Sequence, residues 1–356
     1  MKKILTINPG STSTKIAVFE DDNKIYEKTL RHSSEEIGKY EKIYMQLDFR
    51  KNVILDGLKE AGISLEEIDA IVARGGLLKP IEGGTYEINE KMLEDLKNGV
   101  GGQHASNLGG QLANELANTV SKEIKTYIVD PVVVDELEPL ARISGLKEIE
   151  RESKFHALNQ KAIAKRYAKE NNLKYEDLNL IIAHMGGGIS VAAHKNGRVI
   201  DVANALDGEG PFSPERAGSL PTGSLIDLCF DNGYTKEEVK KLLVGKGGFV
   251  SYLNTNDARI VEENAEKGDK EALLMYEAMA YQVSKEIGQL ATVLYGKVDR
   301  IILTGGIAYS KLMQKLIEER VSFIAGLTVY PGEDELEALA FGGLRVLNGE
   351  EKAKKY

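Results

Sequence analysis

Short apolar runs alternate along the chain with longer segments in which apolar residues recur at helical spacing. The runs at residues 127–129, 300–303 and 327–330 predict strands, and the apolar stripes that begin at Ala105 and Met279 predict helices. A chain in which strands and helices alternate is typical of an α/β fold. The pattern therefore predicts an α/β protein.

Two segments of the chain share the same order of elements. In residues 4–26 and again in residues 180–200, a strand leads into a turn rich in glycine or hydroxyl groups, a second strand, a hairpin turn and a third strand. The two segments lie 176 residues apart, about half of the chain. We interpret this repeat as a duplication that produces two homologous domains with a cleft between them; a chance likeness of two hairpins is the alternative.

Composition narrows the class of protein. The net charge of −9 disfavours nucleic acid and anionic membranes as partners, and no apolar stretch approaches the ~20 residues of a membrane span. Cys229 is the single cysteine, which excludes an internal disulfide and fits a reducing compartment, and no signal peptide follows Met1. We therefore predict a cytoplasmic protein that binds neither nucleic acid nor membrane.

Several familiar catalytic motifs are absent from the sequence. There is no GxxxxGK[ST] phosphate loop, no GxGxxG after a strand, and no HExxH, paired CxxC or GxSxG motif. What remains is a set of loops rich in glycine and hydroxyl groups at predicted strand ends, residues 8–15, 184–188 and 303–308. Backbone N–H groups, hydroxyls and a lysine suit phosphate oxygens, and Asp130 at another strand end suits Mg²⁺ through water. The loops therefore predict a nucleotide-phosphate site.

Seven stretches along the chain carry a resemblance to a known family. They are residues 7–15, 73–78, 102–109, 129–136, 155–160, 184–188 and 210–216. Over essentially its whole length the chain resembles the acetate kinase family, within the superfamily of actin, hexokinase and Hsp70. The resemblance implies two actin-like (ribonuclease H-like) domains, ATP/ADP and Mg²⁺ as cofactors, and reversible phosphoryl transfer to a short-chain carboxylate, which gives an acyl phosphate.

The same resemblance implies a domain organisation. Residues 1–150 are expected to form an N-terminal actin-like domain, onto which residues 338–356 pack back, and residues 151–337 a nucleotide-binding domain. The charged residues 350–355 are expected to be a solvated tail. Because family members are dimers or larger, we also expect a homo-oligomer, working in the butanoate metabolism of a fermenting cell.

The resemblance assigns functional residues position by position. The family's catalytic and metal-binding groups fall on Arg74, Arg216, His184, His104, Asp130 and Glu335. Its nucleotide-binding loops fall on Asn8, Ser11, Ser13 and Lys15, on Gly186, Gly187 and Gly188, and on Thr304, Gly305, Gly306 and Ile307. The carboxylate is expected at Arg74, the transferring phosphoryl group at Arg216 and His184, and Mg²⁺ at Asp130 and Glu335.

Structural interpretations stand beside these roles. His104 and His156 each precede a predicted helix, so either of them is also a candidate helix cap or structural residue. His32 and His194 are expected at the surface. Two further acidic residues, Asp135 and Glu136, are expected to be structural but are close enough in sequence to rival Asp130 for the metal.

One departure from the family pattern concerns the acid. Acetate kinases carry a valine pair just after the first arginine, whereas this chain has Gly75 and Gly76. The loss of two side chains predicts an open acyl pocket. At roughly 0.8 kcal/mol per buried CH₂, two more methylenes would favour butyrate over acetate by about 1.6 kcal/mol, or about tenfold. Butyrate is therefore the predicted acid.

Other functions stay open at this point. Isobutyrate, propionate or acetate are alternative acids for the same reaction. A nucleotide-switched actin-like protein would share the phosphate loops without needing a second arginine, and a sugar or polyphosphate kinase would use the same scaffold. A sugar kinase needs a base for its hydroxyl acceptor, whereas a carboxylate is already ionised at neutral pH. Direct in-line transfer without a phosphoenzyme is the predicted mechanism.

Overall fold

The computed structural model describes residues 1–206 and 208–356, which form two compact units. Unit 1 comprises Met1–Val134 and Asp334–Tyr356, and unit 2 comprises Asp135–Glu333. The sequence placed the boundaries after residues 150 and 337. Residues 135–150 group with unit 2 because they bond to its strands; for example, the Glu138 N–H donates to the Ile200 carbonyl at 3.0 Å.

The described residues contain twelve strands. They are β1 (Lys3–Pro9), β2 (Ser13–Glu20), β3 (Asn23–Arg31), β4 (Ala70–Arg74), β5 (Thr85–Glu87), β6 (Lys125–Val129), β7 (Asn179–Met185), β8 (Ile189–Lys195), β9 (Arg198–Val202), β10 (Arg300–Gly305), β11 (Leu327–Pro331) and β12 (Lys354–Lys355).

The helices of the described residues vary from one turn to more than six. They are α1 (Ser34–Gly38), α2 (Leu47–Glu60), α3 (Glu90–Asn98), α4 (Leu108–Ala117), α5 (Pro139–Arg142), α6 (Ala157–Glu170), α7 (Thr222–Asp231), α8 (Lys236–Leu243), α9 (Phe249–Leu253), α10 (Ala258–Glu266), α11 (Lys270–Val293), α12 (Lys311–Val321) and α13 (Glu335–Leu347). Short 3₁₀ turns lie at Ile43–Gln46, Leu65–Glu67, Ala105–Asn107, Tyr175–Asp177 and Gly306–Tyr309.

Unit 1 is built on a seven-stranded sheet in the order β12-β5-β6-β4-β1-β2-β3. Its strands β1, β4 and β6 are parallel, so their carboxyl ends lie along one edge, whereas β2 and β3 continue from β1 as an antiparallel meander. Side chains alternate between the two faces: Leu5 and Ile7 of β1 pack with α2 and α4, and Ile4 faces α13.

Helix α13 lies unusually close to this sheet. It carries Gly342 and Gly343, where an added Cβ would stand 2.5 Å from a methyl carbon of Val129 and of Val72, respectively. The glycine pair therefore allows a helix–sheet contact that no larger residue would fit.

Unit 2 is built on a five-stranded sheet in the order β11-β10-β7-β8-β9. Strands β7, β10 and β11 are parallel, and β8 and β9 complete an antiparallel meander. Helix α11 covers one face through a stripe that includes Met279, Val283 and Ile287, and α6 covers the other through Ala164 and Tyr167. The helical stripe predicted from Met279 onward is confirmed.

The predicted repeat is visible in the two meanders. Strand β7 begins 176 residues after β1, and β8 begins 176 residues after β2. Each second strand also shifts register once, between Val18 and Phe19 in β2 and between Ala193 and His194 in β8. Both segments therefore share element order, spacing and an irregularity whose positions agree to within one residue.

Three smaller expectations are wrong. The C-terminal residues are not a solvated tail, because they add strand β12 to the edge of the sheet beside β5. The Tyr356 hydroxyl also donates to Asp95 at 2.9 Å. The stripe that begins at Ala105 was predicted to continue through Leu108, Leu112 and Leu116 to Val120, but α4 runs only from Leu108 to Ala117. His32 and His194 are 4% and 0% exposed: the Thr14 hydroxyl contacts one ring nitrogen of His32, and Tyr175 and Gln160 contact the two ring nitrogens of His194.

Candidate active site

Three polar residues meet at the carboxyl ends of β1 and β4 in unit 1. Because Ile7 pairs with Ala73 in the parallel ladder, the next residues, Asn8 and Arg74, lie side by side. Arg74 Nη1 is 2.9 Å from Oε1 of Glu335, the first residue of α13, and donates to Asn8 Oδ1 at 3.4 Å. Asn8 Nδ2 donates to Glu335 Oε2 at 2.5 Å. The structure thus brings together a predicted cation, a predicted acid and a predicted phosphate-loop residue.

Asp130 follows β6 at the same edge of the sheet, but its carboxylate is turned into the protein. The residue has φ of +36° and is 3% exposed, and its Oδ1 accepts the Gly84 N–H at 2.6 Å. An aspartate with a left-handed backbone conformation that accepts a hydrogen bond from a nearby backbone N–H stabilises a turn, in addition to carrying an acidic group. Glu335, with a side chain 23% exposed, is the more accessible of the two predicted Mg²⁺ ligands.

His104 caps a helical turn, which is one of the two roles predicted for it. It precedes the 3₁₀ turn at Ala105–Asn107 and caps it, because its Nδ1 accepts the Ser106 N–H at 3.2 Å and lies 2.8 Å from the Ser106 hydroxyl. Partial burial, and then the positive charge of Arg74, lower the pKa of His104.

The turn between β1 and β2 holds the remaining predicted residues of unit 1. Ser11 and Lys15 are exposed, and Ser13 is partly exposed. A residue that the sequence did not single out lies beneath them: Arg50 of α2 is 1% exposed and donates to the carbonyls of residues 10, 11 and 13. Its sequence signal was an arginine on the apolar face of α2, in register with Ile54.

The glycine pair after Arg74 does not open a pocket in unit 1. A Cβ on Gly75 would stand 2.4 Å from the Pro131 Cβ, and a Cβ on Gly76 would stand 2.6 Å from the Cα of Asn107. Both glycines are buried, because neighbouring side chains already fill the space that a larger residue would need. The expectation that Gly75 and Gly76 make room for a longer acid is therefore wrong.

In unit 2, His184 lies near the end of β7 and is 1% exposed. Its Nδ1 is 2.8 Å from Asn159 Oδ1, and its ring stacks on His156 with centroids 3.8 Å apart. Its Nε2 is 2.9 Å from Glu333 Oε1, although the two groups are not aligned for a hydrogen bond. Asn159, His156 and Glu333 were not predicted as partners, since sequence spacing does not show which residues converge from α6 and β11.

The glycine turn after β7 is shaped by close contacts. A Cβ on Gly188 would stand 2.3 Å from Arg216 Nη1, so only glycine lets that guanidinium lie against the turn. Arg216 Nη1 also donates to the Ala205 carbonyl at 2.9 Å. The Ser213 hydroxyl donates to the Gly187 carbonyl at 2.7 Å, and a Cβ on Gly186 would approach Glu333. The predicted second arginine therefore lies at the predicted glycine loop.

The predicted adenosine loop lies beside this turn. Thr304 of β10 pairs with His184 in the parallel ladder, so both loops leave the same edge of the sheet. Gly305 has φ of +87°, and a Cβ there would stand 2.4 Å from the Met185 carbonyl oxygen. Gly306 has open space around it, and Ile307 is 8% exposed. Glycine at position 305 is required by both its backbone angle and its contact.

The two rival acids have structural partners. Asp135 forms a two-point pair with Arg142, at 2.8 and 2.7 Å. Glu136 forms a buried ion pair with Lys161, whose Nζ lies 2.8 Å from Oε2. Over the described ranges, no group of three or more His, Cys, Asp or Glu side chains is arranged to hold a metal by itself, and no helix is long and apolar enough to cross a bilayer.

A solved structure gives the class of fold. The crystal structure of Porphyromonas gingivalis acetate kinase matches with a TM-score of 0.81, covering 98% of this chain and 100% of that one at 20% identity. The predicted α/β class and two-domain actin-like fold are thereby confirmed.

Sequence comparison gives the family. The Acetokinase family model matches residues 145–342. Two relatives come from Clostridium acetobutylicum. Butyrate kinase 1 is 64% identical, with 100% of this chain and 100% of the relative covered. Butyrate kinase 2 is 63% identical, with 99% of this chain and 99% of the relative covered. The chain belongs to the acetokinase family, as the motifs predicted.

Proposed function

We propose that the protein catalyses reversible, Mg²⁺-dependent transfer of the γ-phosphoryl group of ATP to butyrate, forming butanoyl phosphate and ADP. The observation that carries this proposal is identity of 64% over the whole length of a protein named butyrate kinase. The arrangement of Arg74, Asn8 and Glu335 in unit 1 and of His184 and Arg216 beside a glycine turn in unit 2 supports it.

Arg74 is the proposed carboxylate-binding residue. Its guanidinium is partly exposed and is oriented by Glu335 and Asn8, so it can offer further donors to an acid without a large rearrangement. A short-chain carboxylate is ionised at neutral pH and needs no general base. The carboxylate oxygen attacks the γ-phosphorus directly, the bond from phosphorus to the ADP oxygen breaks, and ADP leaves with that electron pair.

Arg216 and His184 are the proposed phosphoryl-binding residues. The arginine contributes a permanent charge and planar donors, which suit the equatorial oxygens of a transferring phosphoryl group. With His184 Nδ1 directed at Asn159 Oδ1, the Nε2 atom donates to phosphate only in the doubly protonated ring. Turn residues 186–188 and 304–307 are the proposed nucleotide loops of unit 2.

Mg²⁺ fits the carboxylates that are present. Magnesium is commonly held by one or two carboxylates together with waters and substrate phosphates, so the absence of a larger acidic cluster in the described residues is compatible with it. Glu335 and Asp130 would hold it, Glu335 being the more exposed. When bound, Mg²⁺ supplies positive charge that neutralises the nucleotide phosphates.

Butyrate is proposed from the relatives and not from the glycine pair. Because the space at Gly75 and Gly76 is filled, a preference for a four-carbon acid has to come from other residues. We propose a cytoplasmic enzyme that forms dimers or larger oligomers and binds small molecules only.

The test is hydroxamate formation from MgATP, hydroxylamine and a series of acids: formate, acetate, propionate, butyrate, isobutyrate and valerate. We expect the highest kcat/KM with butyrate and a loss of at least about 100-fold in Arg216→Ala. Arg259→Ala is the matched control, because Arg259 lies in the same unit with a side chain 87% exposed. A maximum with another acid would replace butyrate. Nucleotide binding without any hydroxamate would favour a nucleotide-switched protein.

A further inference from the structure

Arg50 is a cation buried in unit 1. Its six hydrogen bonds all reach neutral oxygens, and no carboxylate in residues 1–206 or 208–356 forms an ion pair with it. Burial lowers its pKa to about 10, so the guanidinium is still charged at neutral pH. Since burying an uncompensated charge is costly, a fold that keeps one has a use for the charge or for its donors.

The donors of Arg50 converge on the turn between β1 and β2. Nη1 donates to the Gly10 carbonyl at 2.8 Å and the Ser13 carbonyl at 3.1 Å, and Nη2 donates to the Ser11 carbonyl at 3.2 Å. On the other side of the guanidinium, Gln46 Oε1 accepts from Nε at 3.1 Å and from Nη2 at 2.9 Å. The guanidinium therefore binds three carbonyls of a four-residue stretch.

These bonds determine the direction of the turn's own donors. The peptide bonds are trans, so the C=O of one residue and the N–H of the next point in opposite directions. With the carbonyls of Gly10 and Ser11 facing Arg50, the N–H groups of Ser11 and Thr12 face away from it. Both residues are exposed, and their hydroxyls lie on the same stretch. The turn thus presents backbone and hydroxyl donors outward, above a buried positive charge.

The neighbouring His32 adds no second positive charge beneath the turn. Thr14 Oγ1 accepts from Arg50 Nη1 at 3.1 Å and lies 2.9 Å from His32 Nε2, to which it can donate its own proton. That arrangement requires an unprotonated Nε2, and burial followed by the charge of Arg50 lowers the pKa of His32. At neutral pH the turn therefore lies over one cation.

We propose that Arg50 is a positioning residue of an anion site: it holds the β1–β2 turn with its donors outward and supplies the charge that attracts phosphate oxygens of the nucleotide. The nucleotide as ligand rests on the proposed function, whereas binding of a polyphosphate anion follows from the turn itself. Arg50 acts through the turn and through its field, and it does not touch the reacting atoms.

The sharpest test is Gln46→Glu. This isosteric change keeps an oxygen acceptor for Arg50, so the contact between the two side chains persists. The new carboxylate neutralises the positive charge of the guanidinium, so the turn no longer lies over a net positive charge. We expect the unfolding temperature to be unchanged or raised. Titration calorimetry with inorganic pyrophosphate and with MgATP should show Kd raised roughly five- to tenfold. The KM for MgATP should rise by a similar factor, with kcat and the KM for the acid within twofold.

Two further variants complete the design. Lys122→Gln makes the same change in net charge near Asp69, which bonds the first residue of β1 at the opposite end of that strand from the turn. We expect it to bind pyrophosphate like the wild type. Arg50→Lys keeps the positive charge but loses the planar guanidinium with its several donors. We expect the Kd for pyrophosphate to rise only two- to threefold, in protein that remains folded.

Each outcome separates the two proposals. Folded Gln46→Glu and Arg50→Lys proteins that bind pyrophosphate like the wild type would overturn the role of Arg50, even if hydroxamate forms normally. Weaker pyrophosphate binding in Gln46→Glu, in a protein that makes no hydroxamate from any acid, would support the anion site and overturn the proposed reaction. If wild-type protein binds neither pyrophosphate nor MgATP, the anion site itself is wrong.

Discussion

The two polar turns of this protein occupy equivalent places in two repeated meanders but are held in different ways. Each turn has three residues, 10–12 after β1 and 186–188 after β7. The first has one glycine and is held from below by the buried Arg50. The second is entirely glycine and lies against the side chains of Arg216 and Glu333.

The difference shows that one backbone frame can hold a cation beside a turn in two ways. In the first turn the cation is part of the fold, and its donors are consumed by carbonyls. In the second turn the cation is partly exposed, and a missing Cβ lets it lie over the backbone. We expect the first turn to respond to mutation mainly in stability and nucleotide affinity, and the second mainly in turnover.

The largest effect on stability is expected from Arg50→Met. The change leaves the carbonyls of Gly10, Ser11 and Ser13 without their buried donor, which should lower the free energy of unfolding by about 3 kcal/mol. Arg216→Met should cost less than about 1 kcal/mol, because that side chain is partly exposed and water can replace it. Urea unfolding followed by circular dichroism measures both, and equal losses would contradict the contrast.

The second prediction compares one methyl group in the two turns. Gly188→Ala places a Cβ 2.3 Å from Arg216 Nη1, at the flexible end of a side chain, so the guanidinium should move with little loss of stability. We expect kcat for hydroxamate formation to fall about 50-fold, or about 2.3 kcal/mol. Gly10→Ala meets nothing closer than 3.5 Å and should stay within twofold of the wild type. Equal activities of the two variants would exclude a role for the Gly188 contact.

The third prediction extends the comparison to the ionisable groups inside each unit. In unit 2, burial and the nearby Asp201 raise the pKa of Glu286 to about 7. The folded carboxyl therefore keeps its proton while the unfolded one loses it near pH 4.5, and stability falls as pH rises between these values. Glu286→Gln should raise the free energy of unfolding by about 1–2 kcal/mol at pH 8, after allowance for partial exposure, and by nothing at pH 4.

The control for Glu286 lies on the same helix. Glu277 of α11 is exposed, and Glu277→Gln should leave stability unchanged at both pH values. A Glu286→Gln protein with the pH profile of the wild type would mean that the carboxyl is solvated in the folded state.

The smallest effect is expected from His32, beside the first turn. Its pKa is lowered, so on acidification the unfolded chain takes up a proton before the folded one, and stability is lost as pH falls through about 6.5. His32→Gln should flatten the stability curve between pH 6.5 and 5 by less than about 1 kcal/mol. Chemical unfolding at half-unit pH steps checks this, and an unchanged slope would show that His32 takes up its proton equally in the folded and unfolded states.

The sequence predicted the local elements well, but it did not predict which side chains from distant elements come into contact. The repeat, the strands and the α11 stripe follow from apolar spacing, and the family motifs led to Arg74, Arg216 and Glu335. The contact of Arg50 with the first turn and the stack of His156 on His184 depend on which elements pack together, which spacing does not encode. The error at Gly75 has the same origin, because a missing side chain indicates free space only when no neighbour fills it.

The division of unit 1 into two stretches of chain has a consequence for synthesis. Its final helix, α13, covers strands β1, β4 and β6, yet it follows all of unit 2 in the order of translation. At roughly 5–20 residues per second, the ribosome adds the 199 residues of Asp135–Glu333 in about 10–40 seconds, during which the first sheet has one apolar face uncovered. The unit that is begun first is therefore completed last, and we expect the nascent chain to depend on chaperones in that interval.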